Sequence, residues 1–401
     1  MIFVGIDWAS DHHDVEIQDE SGKVLERFRI AADLSGLERL RASLRGDPEQ
    51  VSVAIEASHG LWVNALVEGG YRVYPINPLT SARAREGEAP SRSKSDSDDA
   101  HMLANLVRTR QNLRLLAGDS EIAQAIQARA RAQQRAVRLE KMQRNHLLSL
   151  LTKFYTAALP LFGHDEQVRD ALAVLEVAPN PALGRRLSLS KIESALKRHG
   201  RQRKVSEAAL KIQTHLREKH LELGNAELVA AYSDEVRHLV RTLVLARIEI
   251  DEFETELTSS FEKHPDAEIY RSLPGLGLVL SARVLGEFGD DPNRYPNAKA
   301  RKNYAGNSPI TRASGRNRFV SRRIVRNRLL ADALFRAAFA SLAGSPGARQ
   351  YYDSLRLRQK THNEATRALA NKLTGILHGC LTTHNVYVES QAWPTQLEAA
   401  A

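Results

Sequence analysis

Two apolar stretches near the N-terminus each end in a carboxylate: Ile2-Phe3-Val4-Gly5-Ile6-Asp7 and Val51-Ser52-Val53-Ala54-Ile55-Glu56. Both stretches are predicted to be buried strands, where a terminal acid is costly unless something compensates its charge. For several acids in one place the common compensation is a divalent cation, and oxygen ligands without thiolate suit Mg²⁺ or Mn²⁺. Two such metals held ~4 Å apart are the usual apparatus for displacement at a phosphodiester. The pattern therefore indicates nucleic-acid chemistry.

Two further acids lie at the start of a predicted helix, in Lys94-Ser95-Asp96-Ser97-Asp98-Asp99-Ala100. Asp96 and Asp99 share a helix face with Leu103, which must pack on the sheet, whereas Asp98 points to the other side and is expected in solvent. Helix capping explains Asp96 and Asp99 alone, but it does not explain acids at two strand ends. The predicted catalytic and metal-binding residues are therefore Asp7, Glu56, Asp96 and Asp99.

The first 118 residues are predicted to form a ribonuclease-H-like α/β domain. Three meandering strands come first, and helices then alternate with strands, which is the order of that fold. The fold also occurs in sugar-kinase-type ATPases, so the fold alone does not settle function. The predicted strands are 2–8, 13–19, 23–30, 51–56 and 71–77, and the predicted helices are 34–45, 61–69 and 97–110.

The remainder of the chain is predicted to be helical. Residues 119–159 and 225–264 contain no glycine or proline. The second stretch repeats apolar residues in steps of three and four, which favours a coiled coil, with an ordinary amphipathic helix as the alternative. The seam consists of Val236, Leu239, Leu243, Ala246, Ile250, Phe253 and Leu257. We expect long helices with a basic insertion over 119–265, a helical domain over 266–385 and a tail over 386–401 that is short and frayed from Glu389 on.

Composition limits the functional class. A chain of 401 residues with 42% hydrophobic residues builds two or three domains, and a net charge of +9 attracts polyanions. The lone Cys380 fits a reducing compartment, and no apolar run approaches the ~18 residues of a membrane span. We therefore expect a cytoplasmic protein without a membrane segment. A P-loop motif is absent, and His12, His13, His59 and His101 lack the spacing of a zinc site.

A second cluster of functional residues follows Tyr304. Ser314 precedes a glycine on a loop, where its hydroxyl can be exposed, and Ser308 competes for any such role although Pro309 restricts it. A Pro274-Gly275-Leu276-Gly277 turn resembles a helix-hairpin-helix, whose backbone N–H groups would face a phosphate, with an ordinary helical turn as the alternative. Guanidinium groups bind phosphate well. The residues predicted to bind nucleic acid are Arg92, Lys94, Gly275, Gly277, Arg312, Arg316, Arg318, Arg322 and Arg323.

Together these motifs resemble the DEDD transposases of the insertion sequence one-ten family, relatives of the Piv site-specific DNA invertase. The resemblance is carried by Gly5-Ile6-Asp7, Ile55-Glu56-Ala57, Lys94–Ala100, Leu273–Gly277 and the Ala305–Gly315 loop. It implies a RuvC-like metal site at the four acids and a nucleophilic serine at Ser314. It also implies a noncoding guide RNA that pairs with target and donor DNA, and a dimer or tetramer in which the serine of one subunit completes the metal site of another.

The leading hypothesis is therefore an RNA-guided DNA transposase that is associated with the nucleoid. One alternative is a RuvC-like structure-selective nuclease that uses water as its nucleophile and has no role for Ser314. The other is a non-catalytic scaffold that binds RNA or DNA on an inherited fold.

Overall fold

A computed structural model of the protein divides the chain into two compact units, Met1–Gly118 and Asp119–Ala401. Within these units the residues that the structure describes are 1–44, 46–57, 60–77, 80–82, 84, 96–110, 113, 115, 116, 118–163, 165–221, 223–314, 317–324 and 326–394.

The first unit is built on a five-stranded mixed sheet with the order β3-β2-β1-β4-β5. Strands β1 to β3 form an antiparallel meander, and β1, β4 and β5 run parallel to one another. The arrangement is consistent with the predicted ribonuclease-H-like domain. The strands are β1 (Ile2–Trp8), β2 (His12–Gln18), β3 (Val24–Ala31), β4 (Val51–Ile55) and β5 (Arg72–Pro75). The helices are α1 (Leu34–Ser43), α2 (Leu61–Glu68) and α3 (Asp96–Thr109), with a 3₁₀ turn at Pro48–Gln50.

Two apolar layers cover the two faces of this sheet. On one face Val4, Ile6 and Val15 pack with Leu40 and Trp62. On the other face Phe3 of β1 and Ala54 of β4 pack with Leu103 and Leu106 of α3. Because side chains alternate along a strand, neighbouring residues of β1 belong to different layers. This alternation decides which residues at the strand ends face α3.

The second unit is helical, apart from one small hairpin. Its elements are α4 (Glu121–Phe154), a 3₁₀ turn (Thr156–Leu161), α5 (Asp165–Val177), α6 (Pro181–Arg186), α7 (Leu189–Arg198), α8 (Val205–Arg217), α9 (Ala226–Glu262), α10 (Ala267–Ser272), α11 (Leu278–Phe288), α12 (Ala298–Ala305), β6 (Ile310–Ser314), β7 (Asn317–Ser321), α13 (Arg328–Gly344), α14 (Pro346–Leu357), α15 (His362–Thr383) and α16 (Glu389–Ala392).

The long helices α4 and α9 form an antiparallel pair. Going along α4 from its C-terminal end, Phe154 contacts Tyr232 with ring centroids 5.3 Å apart, and His146 contacts Glu235 at 3.0 Å. Nearer the other end, Gln133 Nε2 donates to Glu254 at 2.7 Å. The partner numbers rise as the α4 numbers fall, so the two helices run in opposite directions. Polar caps start both helices: Ser120 accepts from the N–H of Ala123, and Asn225 accepts from the N–H of Leu228.

Each end of this helix pair enters a different apolar core. The C-terminal part of α4 packs with α5 to α8 and with Val236 and Leu243 of α9. The N-terminal part of α4 packs with Leu257 and Phe261 of α9 and with the helices after residue 266. The helices predicted for 119–265 therefore share this second core with the segment predicted for 266–385. Between the cores, Leu139, Met142, Leu245 and Ile248 are exposed.

The segment after residue 385 differs from the prediction of a short frayed tail. Trp393 is only 2% exposed and belongs to the same core as α10 to α15. Its indole Nε1 donates to Tyr387 at 2.9 Å, and Gly347 leaves room for its ring. The expectation of fraying is therefore wrong as far as Trp393, because a buried aromatic ring anchors this part of the chain.

Candidate active site

Asp7 and Glu56 lie at adjacent strand ends. The last paired residues of the parallel strands β1 and β4 are Ile6 and Ile55, so both acids follow the pairing by one residue. By strand alternation Asp7 and Glu56 lie on the face of Phe3 and Ala54, which α3 covers. Both acids are half-buried. The structure thus brings these two predicted residues to one edge and one face of the sheet.

The helix that carries the other two acids lies directly on β1. A Cβ at Gly5 would lie 2.0 Å from the carbonyl oxygen of Ala100 and 2.5 Å from the amide nitrogen of Ala104. Only glycine therefore allows this approach. Asp99 is 4% exposed, whereas Asp98 is exposed to solvent, as expected from the helix face. Asp96 is the first residue of α3, and its side chain lies outside the described part of the chain.

The structure does not show a completed metal cage. Among the residues it describes, no three carboxylate, histidine or cysteine side chains converge on one point. Asp96 is not part of that comparison, since its side chain is not described. Arg92 and Lys94, predicted to bind nucleic acid, also lie outside the described residues. The roles of the four acids therefore stay predictions.

Sequence reasoning missed two carboxylates on the same face of the sheet. Asp14 is paired with Asp7 across the β1–β2 ladder, and its carboxylate accepts two hydrogen bonds from Arg29 of β3, at 3.0 and 2.8 Å. One step further along β2, the fully buried Glu16 is bound by Arg27 of β3. Alternate acids in β2 facing alternate arginines in β3 were the signal in the sequence.

Glu16 also ties β2 to α3. His101 Nδ1 donates to Glu16 Oε1 at 2.5 Å, and Asn105 Nδ2 donates to His101 Nε2 at 3.0 Å, which assigns the Nδ1–H tautomer. Burial opposes ionisation of Glu16, but hydrogen bonds from Gln18, His101 and Arg27 outweigh it and hold the pKa of this carboxyl below its usual value. His101 is thus engaged in a latch that positions the helix of Asp99.

An aromatic group stands beside the acids, on the opposite face of the sheet. His13, paired with Trp8 in the ladder, is completely buried between two tryptophan rings. Trp8 stacks on it with centroids 4.7 Å apart and planes 25° apart, and Trp62 meets it edge-on at 4.5 Å. Neither ring nitrogen of His13 has a hydrogen-bond partner among the described residues, and burial lowers its pKa. His13 is therefore a neutral core residue.

The predicted serine lies on a hairpin in the second unit. Ser314 is the last residue of β6, is paired with Asn317 of β7 and is exposed. Arg316 and the side chains of Arg312 and Arg318 lie outside the described residues. The competing Ser308 is half-buried, and its Oγ donates to Asn371 at 3.5 Å.

Hydrogen bonds to the helical core hold the chain that follows this hairpin. Arg322 is exposed, and Arg323 is half-buried with Nη2 donating to Asn303 at 3.5 Å. Asn327, the N-cap of α13, donates at 2.6 Å to the buried Glu287. Arg131 donates to the same carboxylate at 2.8 and 3.1 Å, and this interaction raises the pKa of Arg131. The buried Glu287 and its half-buried partner Arg131 thus fix the point where the hairpin returns to the helical core.

The glycine turn before α11 has two different environments. Gly275 has a φ of 80°, and a Cβ there would lie 2.0 Å from the carbonyl oxygen of Ala337 in α13. A packing contact therefore requires glycine at this position, and the predicted binding of phosphate by its backbone N–H stays a prediction. A Cβ at Gly277 would meet no described atom within 4 Å. The N-terminus of α11 is thus open at Gly277.

Comparison with known proteins gives these features a class. A family model described as a transposase matches residues 4–156, and the model of the transposase IS116/IS110/IS902 family matches residues 267–353. The mini-circle transposase for IS117 of Streptomyces coelicolor is 42% identical over all of this chain and 98% of its own length. The uncharacterised 42 kDa protein of insertion element IS900 from Mycobacterium paratuberculosis is 27% identical over 96% of this chain and 97% of its own length.

Both family models and the first of these relatives are transposases, enzymes that cut and rejoin DNA, so the protein is an enzyme of that class. More narrowly, the chain belongs to the IS110 family of transposases. The predicted resemblance is confirmed. The family also implies a divalent metal and DNA as the substrate. Among the described residues, no helix is long and apolar enough to cross a membrane.

Proposed function

We propose that Asp7, Glu56, Asp96 and Asp99 hold Mg²⁺ or Mn²⁺ for transposition. Asp7, Glu56 and Asp99 supply only oxygen donors on the face between the sheet and α3, and such donors fit a hard divalent cation. When bound, the cation polarises the scissile phosphate and stabilises charge on its oxygens. The neighbouring Asp14 and Glu16 are paired with arginine, so we do not assign them to the metal.

The proposed nucleophile is the hydroxyl of Ser314. Its Oγ attacks a DNA phosphorus, a serine–phosphate bond forms, and the bond to the leaving deoxyribose oxygen breaks as that oxygen takes up a proton. The hydroxyl of the strand to be joined then attacks the phosphoserine and releases Ser314. Exposure of Ser314 at the end of β6 supports this role, as does the exposed Arg322, since a guanidinium favours negative charge on nearby oxygens.

The nucleic-acid partners we propose are target and donor DNA together with a noncoding guide RNA. When base pairing to RNA chooses the sequence, the protein needs only to hold backbone and shape. A net charge of +9 and arginines on several elements suit that task. In a helix-hairpin-helix role, the open turn at Gly277 would offer N–H groups to a phosphate. Activity on chromosomal DNA would place the enzyme at the nucleoid.

We also propose that α9 pairs in a coiled coil and assembles the chain into a dimer or tetramer. The predicted seam is buried at its ends, at Val236 and Leu257, but only half-buried at Ala246 and Ile250. The exposed apolar side chains of α4 and α9 lie at this same level between the two cores. Apolar exposure in the middle of a long helix pair supports contact with another copy.

Strand transfer by three single variants tests the mechanism. Ser314→Ala should abolish covalent protein–DNA product while Mn²⁺ binding stays at the wild-type level. Ser308→Ala is the matched control and should remain active. Strand cleavage by Ser314→Ala would instead favour the nuclease that uses water. Recombination at the wild-type rate by Asp7→Asn would remove the metal-enzyme proposal and leave the scaffold.

The guide RNA has a test of its own. Sequencing of RNA that co-purifies with the protein should recover a transcript encoded beside its gene. Recovery of only bulk cellular RNA would contradict the RNA-guided part of the proposal and leave the metal and serine parts standing.

A further inference from the structure

Trp8 is an exposed aromatic ring at the acidic edge. It follows Asp7 directly, and its exposed fraction of 40% is high for a large aromatic side chain. Because Asp7 and Trp8 alternate along the strand, the carboxylate faces α3 and the ring faces the opposite side. The ring therefore lies on the face opposite the metal site that we propose, one residue along the strand from it, and does not compete with it for ligands.

The inner face of this ring is rigidly supported. Trp8 is held by backbone pairing with His13, and its ring stacks on the imidazole of His13, which Trp62 supports edge-on. His13 keeps this position although it is completely buried and neither ring nitrogen has a hydrogen-bond partner among the described residues. An unpaired buried polar group destabilises the folded state. The stack is thus maintained at an energetic cost.

Among the residues that the structure describes, only His13 stacks on the Trp8 ring. Gly60 lies at the edge of the ring, where a Cβ would stand 3.9 Å from Trp8 Cη2, and its φ of 117° disfavours any other residue. Leu61, the next residue, is 87% exposed. The described surroundings therefore leave one aromatic face uncovered next to the acids.

We infer that Trp8 is a stacking platform for one unpaired nucleobase of the DNA strand whose phosphate is held at Asp7 and Glu56. Every nucleobase has a π-face, so such a contact is tolerant of sequence, as suits a protein that holds backbone and shape. Bases inside a duplex are already stacked on both faces, so the contact requires a separated strand at the cut site. This inference rests on the proposed function, because that function places the strand at the strand ends.

The fluorescence of tryptophan tests the contact directly. The chain has three tryptophans, and Trp62 and Trp393 are buried, so Trp8 is the one that a ligand can reach. A single-stranded DNA oligonucleotide added to the full chain in Mg²⁺ should quench the emission, and the quenching should be lost in Trp8→Phe. A blunt duplex of the same sequence should quench much less. Equal quenching of Trp8→Phe and wild type would overturn the inference.

The affinity of Trp8 variants for single-stranded DNA shows whether the ring stacks on a base or only covers the imidazole of His13. Trp8→Leu should bind the single strand roughly 10-fold more weakly, from the usual strength of one base–aromatic contact, whereas Trp8→Phe should stay within a few-fold of wild type. Leu61→Ala removes a more exposed apolar side chain that has no ring, and it should bind like wild type. Equal affinities of Trp8→Leu and wild type, or a matching loss in Leu61→Ala, would refute the platform.

Two further measurements show whether the base comes from DNA or RNA and separate failure of the stacking from failure of the proposed function. A single-stranded RNA of the same sequence should quench less than DNA, and stronger quenching by RNA would overturn the assignment to DNA. The emission of Trp8 reports on the contact itself, so the readout does not depend on catalysis. Quenching by DNA with full recombination in Asp7→Asn would therefore sink the proposed function but not the stacking.

Discussion

Replacement of Gly5 by alanine tests whether the close approach of α3 to β1 positions the acids. The added Cβ would lie 2.0 Å from the carbonyl oxygen of Ala100 and 2.5 Å from the amide nitrogen of Ala104. Both atoms belong to the backbone of α3, so no side chain can rotate away. Ordinary contact begins at 3.4 Å, so the helix must withdraw by roughly 1.4 Å, the difference between 3.4 and 2.0 Å.

The withdrawal has two expected costs. Overpacking lowers the free energy of unfolding by about 1–3 kcal/mol, and the upper end applies because the backbone must move. A misplacement of ~1 Å near the reacting atoms costs on the order of 100-fold in rate. Since α3 carries Asp99, we expect Gly5→Ala to lose both affinity for Mn²⁺ and strand-transfer rate.

The assay compares three quantities in Gly5→Ala and in a matched control. The quantities are the urea denaturation midpoint of the first unit, the Mn²⁺ dissociation constant and the rate of strand transfer. Gly118→Ala is the control in the same unit, because its Cβ would meet only Val67 Cγ1 at 3.8 Å, an ordinary contact. Gly5→Ala with the control's stability, metal affinity and rate would refute the packing argument.

Three further predictions concern other parts of the chain. Glu16→Gln should lower the free energy of unfolding by about 1.5–3 kcal/mol at pH 7. Because folding lowers the pKa of Glu16 from its ordinary value of 4.5, this difference in stability should shrink as the pH falls below 4.5. Denaturant titrations at pH 7 and pH 4 measure the difference, and an equal value at both would contradict the pKa shift. Gly275→Ala should lower the free energy of unfolding by about 3 kcal/mol, because the new Cβ meets the backbone of α13 and the φ is positive. Gly277→Ala should stay near wild type, and thermal denaturation measures both variants. Trp393→Ala should cost about 3–5 kcal/mol, and a melting temperature equal to that of Val388→Ala, an exposed control, would show that the ring is not buried.

The sequence predicted the first unit well because its signals are local. Apolar runs bounded by turn residues gave all five strands to within about two residues, and helix periodicity separated Asp98 from Asp99. The position of Glu16 was not predictable in this way. In His12–Gln18 it alternates with apolar residues and would be expected at the surface, but α3 packs over that face and buries it with His101.

Packing between distant segments of the second unit could not be predicted from the local sequence pattern. The heptad steps in α9 predicted a long helix correctly, but the two cores at its ends depend on helices far away in the chain. The burial of Trp393 depends on Gly347, which precedes it by dozens of residues and leaves space for the ring. Likewise, the close packing of Gly275 on α13 involves residues far along the chain, so the local pattern could not predict it.

The helix pair α4–α9 fixes the distance between the two apolar cores of the second unit. At about 1.5 Å of rise and 100° of rotation per residue, the number of residues between its two cores sets both their separation and their relative orientation. A single residue inserted into both helices at their middle would lengthen the pair by only about 1.5 Å, but it would rotate one core relative to the other by about 100°. Substitutions on the surface of α4 and α9 are therefore compatible with this arrangement, whereas insertions or deletions between the two cores are not.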